Sequence, residues 1–543
     1  MWKVLPEENK QKYKKLITNF ASLSKAFSQK SETDEENEVK EFVAPIVNSK
    51  FQETVFQKAF DAVAEDIANT SYDASLKVSG TSKFLIGIKS FGIASGDQKI
   101  AQFKASSEAD GWNDILAQVK VNATESISKS EADILNDDLY RELARKIGFL
   151  RNERIESSKA QIKGFNAHDI DVDAIYHILM PSKKGSVPTI YVGETDYTPI
   201  DIDNLKIIGA TSKDKSNNFK FSDGRHTYKY TSADSQLYMK FHNKEIIVDE
   251  WSVEYVEDPF VIFENLDKLL LSDVAEEDRS EIEESFSWMI PNKNGEVEES
   301  SGYNGFNGGL KLAKDGREKR ADNLYKKFYM HVDLPKFEKV MADLRVILNG
   351  EWKTKEKKLE LDRLRLDLLS EVEKLNNVEL AEKIEKTLYR DASEMYIPIP
   401  VSRWFHDNNP NFFGPNVGTF QTEKGREKKL ALPVDERIFR LEFMPSGDAV
   451  QAYINQDDGK GIQSIGKQTI LGEWILREVF RLNNRQLLTT KRLNELEING
   501  IRLNKFKDQS RGIGLEFIWI DVDNPPEDAI GWIAEKIKKR VVH

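Results

Sequence analysis

The sequence predicts a multidomain α+β protein, and three features support this class. The chain has 543 residues, of which 39% are hydrophobic, which is too much chain for one core and enough apolar material for several. The hydrophobic spacing alternates between the period of helices and the period of strands. A change in composition at Met395 opens a proline-marked stretch that favours strands. We therefore expect four segments: 1–166, 167–260, 261–392 and 393–543.

Composition excludes several classes of protein. The chain has no cysteine, which excludes disulfides, thiolate metal sites and a cysteine nucleophile. No window approaches the roughly 18 uncharged apolar residues of a membrane span, so we expect a cytoplasmic protein without membrane contact. The net charge of −12 counts against DNA binding over the whole surface. Basic groups nevertheless cluster in residues 225–229, 311–320 and 502–511, and aromatic residues accompany them in the first and last of these ranges.

The first segment combines helices with one hairpin. Residues 1–70 have helical spacing, as do residues 98–104 and 109–166. Between them, residues 75–79 and 83–91 alternate like two strands joined by a turn. We expect an α/β domain.

The middle of the chain predicts a separate strand-rich module followed by a helical connector. Residues 290–325 are rich in Gly, Asn and charge and predict a long linker, and residues 344–390 predict an amphipathic helix broken near Asn376 and Asn377. The strands expected in the module are 174–180, 189–192, 206–208, 226–230 and 245–248.

The last segment is expected to be β-rich. Tyr396 to Pro400 cannot be helical, because two prolines interrupt it. Strands are expected at 439–443, 449–454 and 514–520, with one helix at 468–480 between them.

The strongest candidate for catalysis is Asp73 with Lys89. Asp73 precedes the first strand of the expected hairpin and Lys89 lies near the end of the second, so the hairpin would bring them together at its open end. There is no complete phosphate-binding Gly-x-x-x-x-Gly-Lys-Ser/Thr loop, dinucleotide-binding glycine pattern or Gly-x-Ser-x-Gly elbow to suggest other chemistry. A carboxylate on one strand and an ammonium on the next could hold a divalent metal and orient a water. The competing interpretation is that Asp73 is a turn residue and Lys89 an ordinary strand-end lysine.

This hairpin resembles the PD-(D/E)XK nucleases, which use an Asp, a second acidic residue and a Lys to bind Mg²⁺. Gly87 stands where the second carboxylate should be. The resemblance implies another oxygen donor, either Glu53, which we favour, or Gln98 with Asp97 beyond the hairpin. The implied catalytic residues are Asp73, Lys89 and Glu53, and the implied metal ligands are Asp73, Glu53 and Gln98.

A second nuclease pattern is His242-Asn243-Lys244 with Asp249, which resembles phospholipase-D-type enzymes. Those enzymes are metal-independent and need two copies of the motif, because one histidine attacks phosphorus and the other protonates the leaving group. This chain has one copy. Coincidence is the favoured interpretation.

The C-terminal segment resembles the DNA-binding pseudobarrel domain of some restriction endonucleases, which is related to the plant B-three-type domain. Ser301-Gly302-Tyr303-Asn304-Gly305 resembles an element that precedes this domain, here separated from it by a helical insertion. The matching motifs are Tyr396-Ile397-Pro398-Ile399-Pro400, Asn411-Phe412-Phe413, Gly418-Thr419-Phe420, Gly459-Lys460-Gly461-Ile462 and Leu471-Gly472-Glu473-Trp474.

The resemblance implies two loops that straddle the major groove of DNA. Their polar side chains suit base edges and phosphates. We expect Trp404, Phe412 and Phe413 to be core residues instead. The expected DNA-binding residues are Arg403, Asn409, Asn411, Gln451, Asn455, Lys460 and Gln463.

Together, these patterns indicate a Mg²⁺-dependent type II restriction endonuclease acting on double-stranded DNA, with a homodimer left open. The expected architecture is an N-terminal PD-(D/E)XK-like nuclease, a central α+β module, a helical connector and a C-terminal pseudobarrel. The alternatives are a non-enzymatic sequence-specific DNA-binding regulator, a phospholipase-D-type nuclease using His242 and Lys244, and an RNA-processing or interaction scaffold.

Overall fold

A mixed α+β architecture with several sheets confirms the expected fold class at this level. The computed structural model describes residues 1–27, 42–64, 72–78, 82–165, 171–265, 281–299, 301–307, 314–352, 354–421, 429–455, 458–465 and 469–535. The strands in these ranges form three sheets. Among the helices of the same ranges, none combines the length and the apolar character needed to cross a membrane.

The elements are numbered in chain order. The helices are α1 (Glu7–Ala21), α2 (Ser49–Phe60), α3 (Lys104–Ala109), α4 (Trp112–Glu125), α5 (Lys129–Lys163), α6 (Phe260–Glu264), α7 (Lys314–Phe328), α8 (Leu334–Asn349), α9 (Lys355–Glu373), α10 (Val378–Leu388), α11 (Ser402–Asn408), α12 (Thr469–Gly472), which continues as a π-helix (Glu473–Val479), and α13 (Thr490–Leu496). The strands are β1 (Val63–Ala64), β2 (Ala74–Lys77), β3 (Ser82–Ser90), β4 (Gln98–Gln102), β5 (Asp171–Pro181), β6 (Thr189–Asp196), β7 (Lys206–Ala210), β8 (Phe219–Ser222), β9 (Thr227–Thr231), β10 (Gln236–Met239), β11 (Ile247–Ser252), β12 (Ile282–Met289), β13 (Ile397–Pro398), β14 (Ile438–Phe443), β15 (Ala449–Asn455), β16 (Gly461–Ser464), β17 (Gly500–Phe506) and β18 (Ile513–Ile518).

The first sheet has the order β1-β2-β3-β5-β6-β11. The expected hairpin is present, since β2 and β3 pair antiparallel, although its turn at residues 79–81 lies outside the described residues. β3 then pairs parallel with β5, and β5 pairs antiparallel with β6. The boundary expected at residue 166 therefore falls inside one sheet, because strands from both sides of it are hydrogen-bonded neighbours.

Helices cover both faces of the first sheet. On one face, α1 and α2 bury Tyr13 and Phe56 against Ile86 and Ile88 of β3. On the other face lies α5, which begins where the Ser128 side chain accepts a hydrogen bond from the Glu131 amide at 3.2 Å. The helix is the last element of the crossover from β3 to its parallel neighbour β5, which also includes β4, α3 and α4.

The second sheet is an antiparallel meander in the order β4-β10-β9-β8-β7. Alternate residues of its strands, among them Phe219, Tyr228 and Leu237, are buried in a core shared with α4 and α5. The prediction of a helix at residues 98–104 is wrong for residues 98–102, which form β4. Because β4 pairs with β10, this sheet also crosses the expected boundary at residue 166.

Helices α7 to α10 form a helical insertion with its own core. The break predicted near Asn376 and Asn377 is confirmed: Asn376 has a left-handed φ of 51°, and the Asn377 side chain accepts a hydrogen bond from the Leu380 amide at 3.0 Å, which caps α10. The linker expected at residues 290–325 is wrong from Lys314 onward, where α7 begins. Residues 308–313 lie outside the described residues.

The third sheet has the order β12-β17-β18-β14-β15-β16-β13. Its strands β14, β15 and β18 confirm the three strands predicted near those positions. Two segments that precede the helical insertion in the sequence join the third sheet. β12 pairs antiparallel with β17, and the Gly302 carbonyl accepts a hydrogen bond from the Tyr396 amide at 3.1 Å. Residues on both sides of the expected boundary at 392 thus share one core.

Candidate active site and DNA-reading surface

Asp73 and Lys89 lie together at the same end of the β2–β3 hairpin. Asp73 precedes β2, where its amide donates to the Ile86 carbonyl at 2.9 Å. Its Oδ2 accepts a hydrogen bond from the Ile88 amide at 2.6 Å and lies 3.7 Å from the Lys89 Nζ. Both side chains are a little over a quarter exposed, at 29% and 28%, so solvent and a substrate can reach them.

Gly87 has no room for the missing carboxylate. A Cβ at this position would lie 2.8 Å from Cδ1 and 2.9 Å from Cε1 of Tyr176, its register partner on β5. Side chains two residues apart on a strand project from the same face, so Gly87 and Lys89 share a face. The Tyr176 ring occupies the space that a second carboxylate would need.

Glu53 lies on the helix that packs against β3. The beginning of this helix is held near the end of the strand, because the Ser90 Oγ donates to the Val47 carbonyl at 3.2 Å. The Glu53 carboxylate forms an ion pair with Lys50 at 3.2 Å on the same helix. The helix packs against the face of β3 that carries Ile86 and Ile88, whereas Gly87 and Lys89 project from the opposite face.

Gln98 belongs to the second sheet rather than to the hairpin end. It is the first residue of β4, and its side-chain amide donates to the Gly96 carbonyl at 3.0 Å. The neighbouring Asp97 forms ion pairs with Lys229 at 3.4 Å and Lys220 at 3.8 Å. The structure therefore does not bring Gln98 to Asp73.

A divalent metal would have few anionic ligands at this hairpin. Within the described ranges, no group of three or more His, Asp or Glu side chains is placed to hold a metal ion. Mg²⁺ at phosphate sites often uses one or two carboxylates, with waters and substrate oxygens completing its shell. Asp73 alone meets the lower limit of that requirement.

A buried polar cluster behind Gly87 was not predicted from the sequence. Arg151 of α5 is 1% exposed, with its guanidinium 4.4 Å from the Tyr197 ring centre, and its Nη1 donates to the Thr198 carbonyl at 2.7 Å. The Tyr176 and Tyr197 rings are 4.2 Å apart, and burial raises the pKa of the Tyr176 phenol well above its usual value. One sequence signal existed: Arg151 follows Ile147 by one helical turn on the buried face of α5.

The structure does not assemble the phospholipase-D-like pattern. His242 lies in a turn with a left-handed φ of 54°, and its ring is 3.9 Å from the Glu245 carboxylate. Lys244 is exposed, whereas the Asp249 Oδ2 accepts a hydrogen bond from the Trp251 indole at 3.0 Å. The three motif side chains thus have separate surroundings.

Residues expected in the first DNA-reading loop lie on and after α11. Arg403 is exposed on the helix, with its guanidinium 5.9 Å from the Phe420 ring centre. The Asn409 side chain donates to the Phe405 carbonyl at 3.1 Å, and the Asn411 side chain accepts from the Asn416 amide at 2.8 Å. The two asparagines therefore also shape the loop.

The aromatic residues of this loop divide into core and surface. Phe412 and Phe413 are buried, at 2% and 4% exposed, which confirms the expectation that they are core residues. Trp404 is 53% exposed, so the same expectation is wrong for it. The difference arises because Trp404 lies on the outer side of the short helix α11, whose Phe405 faces the core.

The second loop contains one residue that is turned inward. Gln463 is 5% exposed, and its side-chain oxygen accepts hydrogen bonds from the Tyr453 hydroxyl at 3.1 Å and from the Asn455 amide. The Gln463 side chain therefore links strand β16 to strand β15 and does not extend into the solvent, where DNA would bind. Gln451 is exposed, and Lys460 is 60% exposed beside Asp458 at 2.6 Å.

No family model matches the chain, and no curated protein does either. The function is therefore inferred from the two sites described above.

Proposed function

We propose that this protein is a Mg²⁺-dependent, sequence-specific endonuclease of the type II restriction class that hydrolyses double-stranded DNA. The observation that carries the proposal is the approach of the Lys89 ammonium to within 3.7 Å of the Asp73 carboxylate. The pair lies at one end of a hairpin on a mixed sheet, with neighbouring backbone atoms holding the carboxylate in place.

Each residue of the pair has a distinct task. The Asp73 carboxylate would bind the cation and is oriented by the Ile88 amide, while the Lys89 ammonium would orient the attacking water and offset negative charge on the phosphate. Glu53 remains the second carboxylate of the proposal, although α2 packs against the face of β3 that carries Ile86 and Ile88, opposite the face of Gly87 and Lys89. When bound, the metal would lower the pKa of a coordinated water and stabilise charge on the scissile phosphate.

The surface of the third sheet would supply sequence recognition. Arg403, Asn411, Gln451 and Lys460 are exposed, and these side-chain types hydrogen-bond to base edges or pair with phosphates. The buried position of Gln463 removes it from this set. The exposed Trp404 adds an aromatic surface beside Arg403.

The test is cleavage of unmethylated phage DNA in the presence of Mg²⁺, which should give discrete bands. Asp73→Ala and Lys89→Ala should each reduce cleavage by at least about a hundredfold, the order expected for loss of a group that activates the nucleophile. Both variants should bind a specific duplex in Ca²⁺ with an affinity close to that of the unmodified protein.

His242→Ala is the control, since its exposed ring lies beside the Glu245 carboxylate and is not paired with Asp73 or Lys89, and it should cut normally. Loss of cutting in the His242 variant, with active Asp73 and Lys89 variants, would transfer the chemistry to the phospholipase-D-like pattern.

A second candidate function is a DNA-binding regulator without catalysis. The specific observation that favours it is the closed space at Gly87, which leaves one carboxylate at the hairpin end. Site-specific binding with no cleavage across a range of divalent metals would support this function against the nuclease.

A further inference from the structure

The outer face of the second sheet has an unusual charge for this chain. Its five strands contain four lysines and no aspartate or glutamate, whereas the whole protein carries a net charge of −12. The buried face is apolar, so the lysines project to the solvent side. The other strand residues on that side include Ser222, Thr227 and Thr231, whose hydroxyls are further hydrogen-bond donors.

Three of these lysines form a lysine row with Tyr238, defined as Lys99, Lys220, Lys229 and Tyr238. Lys220 pairs in register with Lys229, Lys229 with Tyr238, and Tyr238 with Lys99. Residues directly opposite on neighbouring strands project from the same face, so the row crosses four strands side by side. The Lys229 ammonium lies 4.6 Å from the centre of the Tyr238 ring.

The row has an excess of positive charge. Like charges directly opposite on a sheet are destabilising. Among the described residues, Asp97 is the one carboxylate within 4 Å of its ammonium groups, and Lys220 and Lys229 share it. The Lys99 Nζ donates to the neutral side chain of Gln102 at 2.7 Å. An exposed, cationic, hydroxyl-rich surface is complementary to a phosphodiester backbone.

The lysine row is connected closely to the hairpin pair. Seven residues lie between Ser90 at the end of β3 and Gln98 at the start of β4, so the Cα atoms of these two residues are at most about 28 Å apart, less than one turn of duplex DNA. The Asn243 side chain fixes this connection by donating to the carbonyls of Ile93 at 3.0 Å and Ser95 at 2.9 Å.

We infer that the lysine row binds the sugar–phosphate backbone of DNA on the flank of the Asp73–Lys89 pair. The inference rests on the proposed function, because it takes the same duplex as its ligand. These contacts carry no sequence information; they hold the duplex while the third sheet reads the bases.

The test uses the full chain without metal and a duplex of unrelated sequence about three helical turns long, followed by fluorescence anisotropy at increasing KCl. Each phosphate contact contributes about 0.9 to the slope of log Kd against log salt concentration, so Lys220→Gln with Lys229→Gln should lower that slope by about 2. Arginine at both positions should preserve it. Asp97→Asn, which removes the shared carboxylate, should tighten binding.

The matched control is Lys336→Gln with Lys374→Gln on the helical insertion, where both lysines are exposed and ion-paired, and the slope should not change. Equal slopes for the lysine-row variant and the unmodified protein would overturn the inference, even if the protein cuts DNA. A lowered slope in a protein that never cuts DNA would support the lysine row and overturn the proposed nuclease. Absence of any DNA binding at low salt would overturn both.

Discussion

At the scale of single residues, position 87 needs a glycine because the Tyr176 ring lies against it, not because its backbone conformation is one that favours glycine. Tyr176 is fully buried, and its ring contacts Tyr197 at 4.2 Å and Phe241 at 5.0 Å between ring centres. The ring therefore cannot move aside without disturbing a packed core. A residue larger than glycine at position 87 would overlap the Tyr176 ring, whatever its chemistry, so the ring or the backbone would have to shift to accept it.

We expect Gly87→Ala to lower the free energy of unfolding by roughly 1–3 kcal/mol, the usual cost of overpacking a core. Gly96→Ala is the control, because nothing lies within 4 Å of its added Cβ. Urea unfolding measures both variants. Equal stability of the two variants would mean that the Tyr176 ring moves freely and that position 87 could accept a carboxylate.

At the scale of elements, helix α5 connects the first two sheets to the third. The Ser157 Oγ donates to the Val479 carbonyl at 2.6 Å, and the Trp474 indole donates to the Ala160 carbonyl at 3.3 Å. Arg154 is almost fully buried, with its Nε donating to the Glu495 carbonyl at 2.7 Å and its Nη1 lying 2.7 Å from the Glu497 carboxylate. One helix therefore carries contacts to both the candidate active site and the candidate DNA-reading unit.

Arg154→Met should destabilise the protein by about 3–5 kcal/mol at neutral pH, since it leaves Glu497 without its partner. Burial raises the pKa of Glu497, and Arg154 opposes that rise. Without Arg154 the folded-state pKa increases further above the unfolded value, so the stability of the variant is retained at low pH and lost as pH rises through the folded pKa.

Urea unfolding of Arg154→Met between pH 5 and 8 tests this prediction, with the more exposed Arg141→Met on the same helix as control. A stability difference between Arg154→Met and the unmodified protein that stays constant across this pH range would show that Glu497 is not the group responsible.

Local sequence patterns predicted the elements that carry local signals. The β2–β3 hairpin, β14, β15 and the break before α10 were all recoverable from periodicity and from turn or capping residues. β4 was missed because an irregularity in its register with β10 disturbs its alternation. β12 was missed because only Ser287 and Trp288 of its eight residues are buried, and its partner β17 is distant in sequence.

The same limit applies to the candidate site. The approach of Asp73 to Lys89 followed from a hairpin, which is a local structure. The Tyr176 ring against Gly87 and the Arg151 cluster depend on a parallel pairing and a helix crossing, which a single sequence does not specify.

At the scale of the whole molecule, the third sheet is not a free-standing C-terminal segment. A fragment of residues 393–543 lacks β12 and residues 301–307, which leaves the β17 edge unpaired and Leu488 without its two hydrogen bonds to Asn304. Unpaired edges promote association between chains.

A fragment of residues 281–543 should therefore unfold at a higher urea concentration than the fragment 393–543 and remain monomeric at concentrations where the shorter one associates. Light scattering and urea titration of both fragments measure this difference. Equal stability of the two would mean that β12 contributes little to the sheet.

The position of β12 in the sequence also determines how long this strand stays unpaired during synthesis of the chain. The strand leaves the ribosome roughly 200 residues before β17 is complete, and at about 5–20 residues per second it waits on the order of 10–40 seconds for its partner. During that time Glu283 and Glu284 keep the nascent strand charged, which protects it from pairing with other chains. Slower translation would lengthen this exposure, so we expect the yield of folded protein to fall when elongation through the helical insertion is slowed.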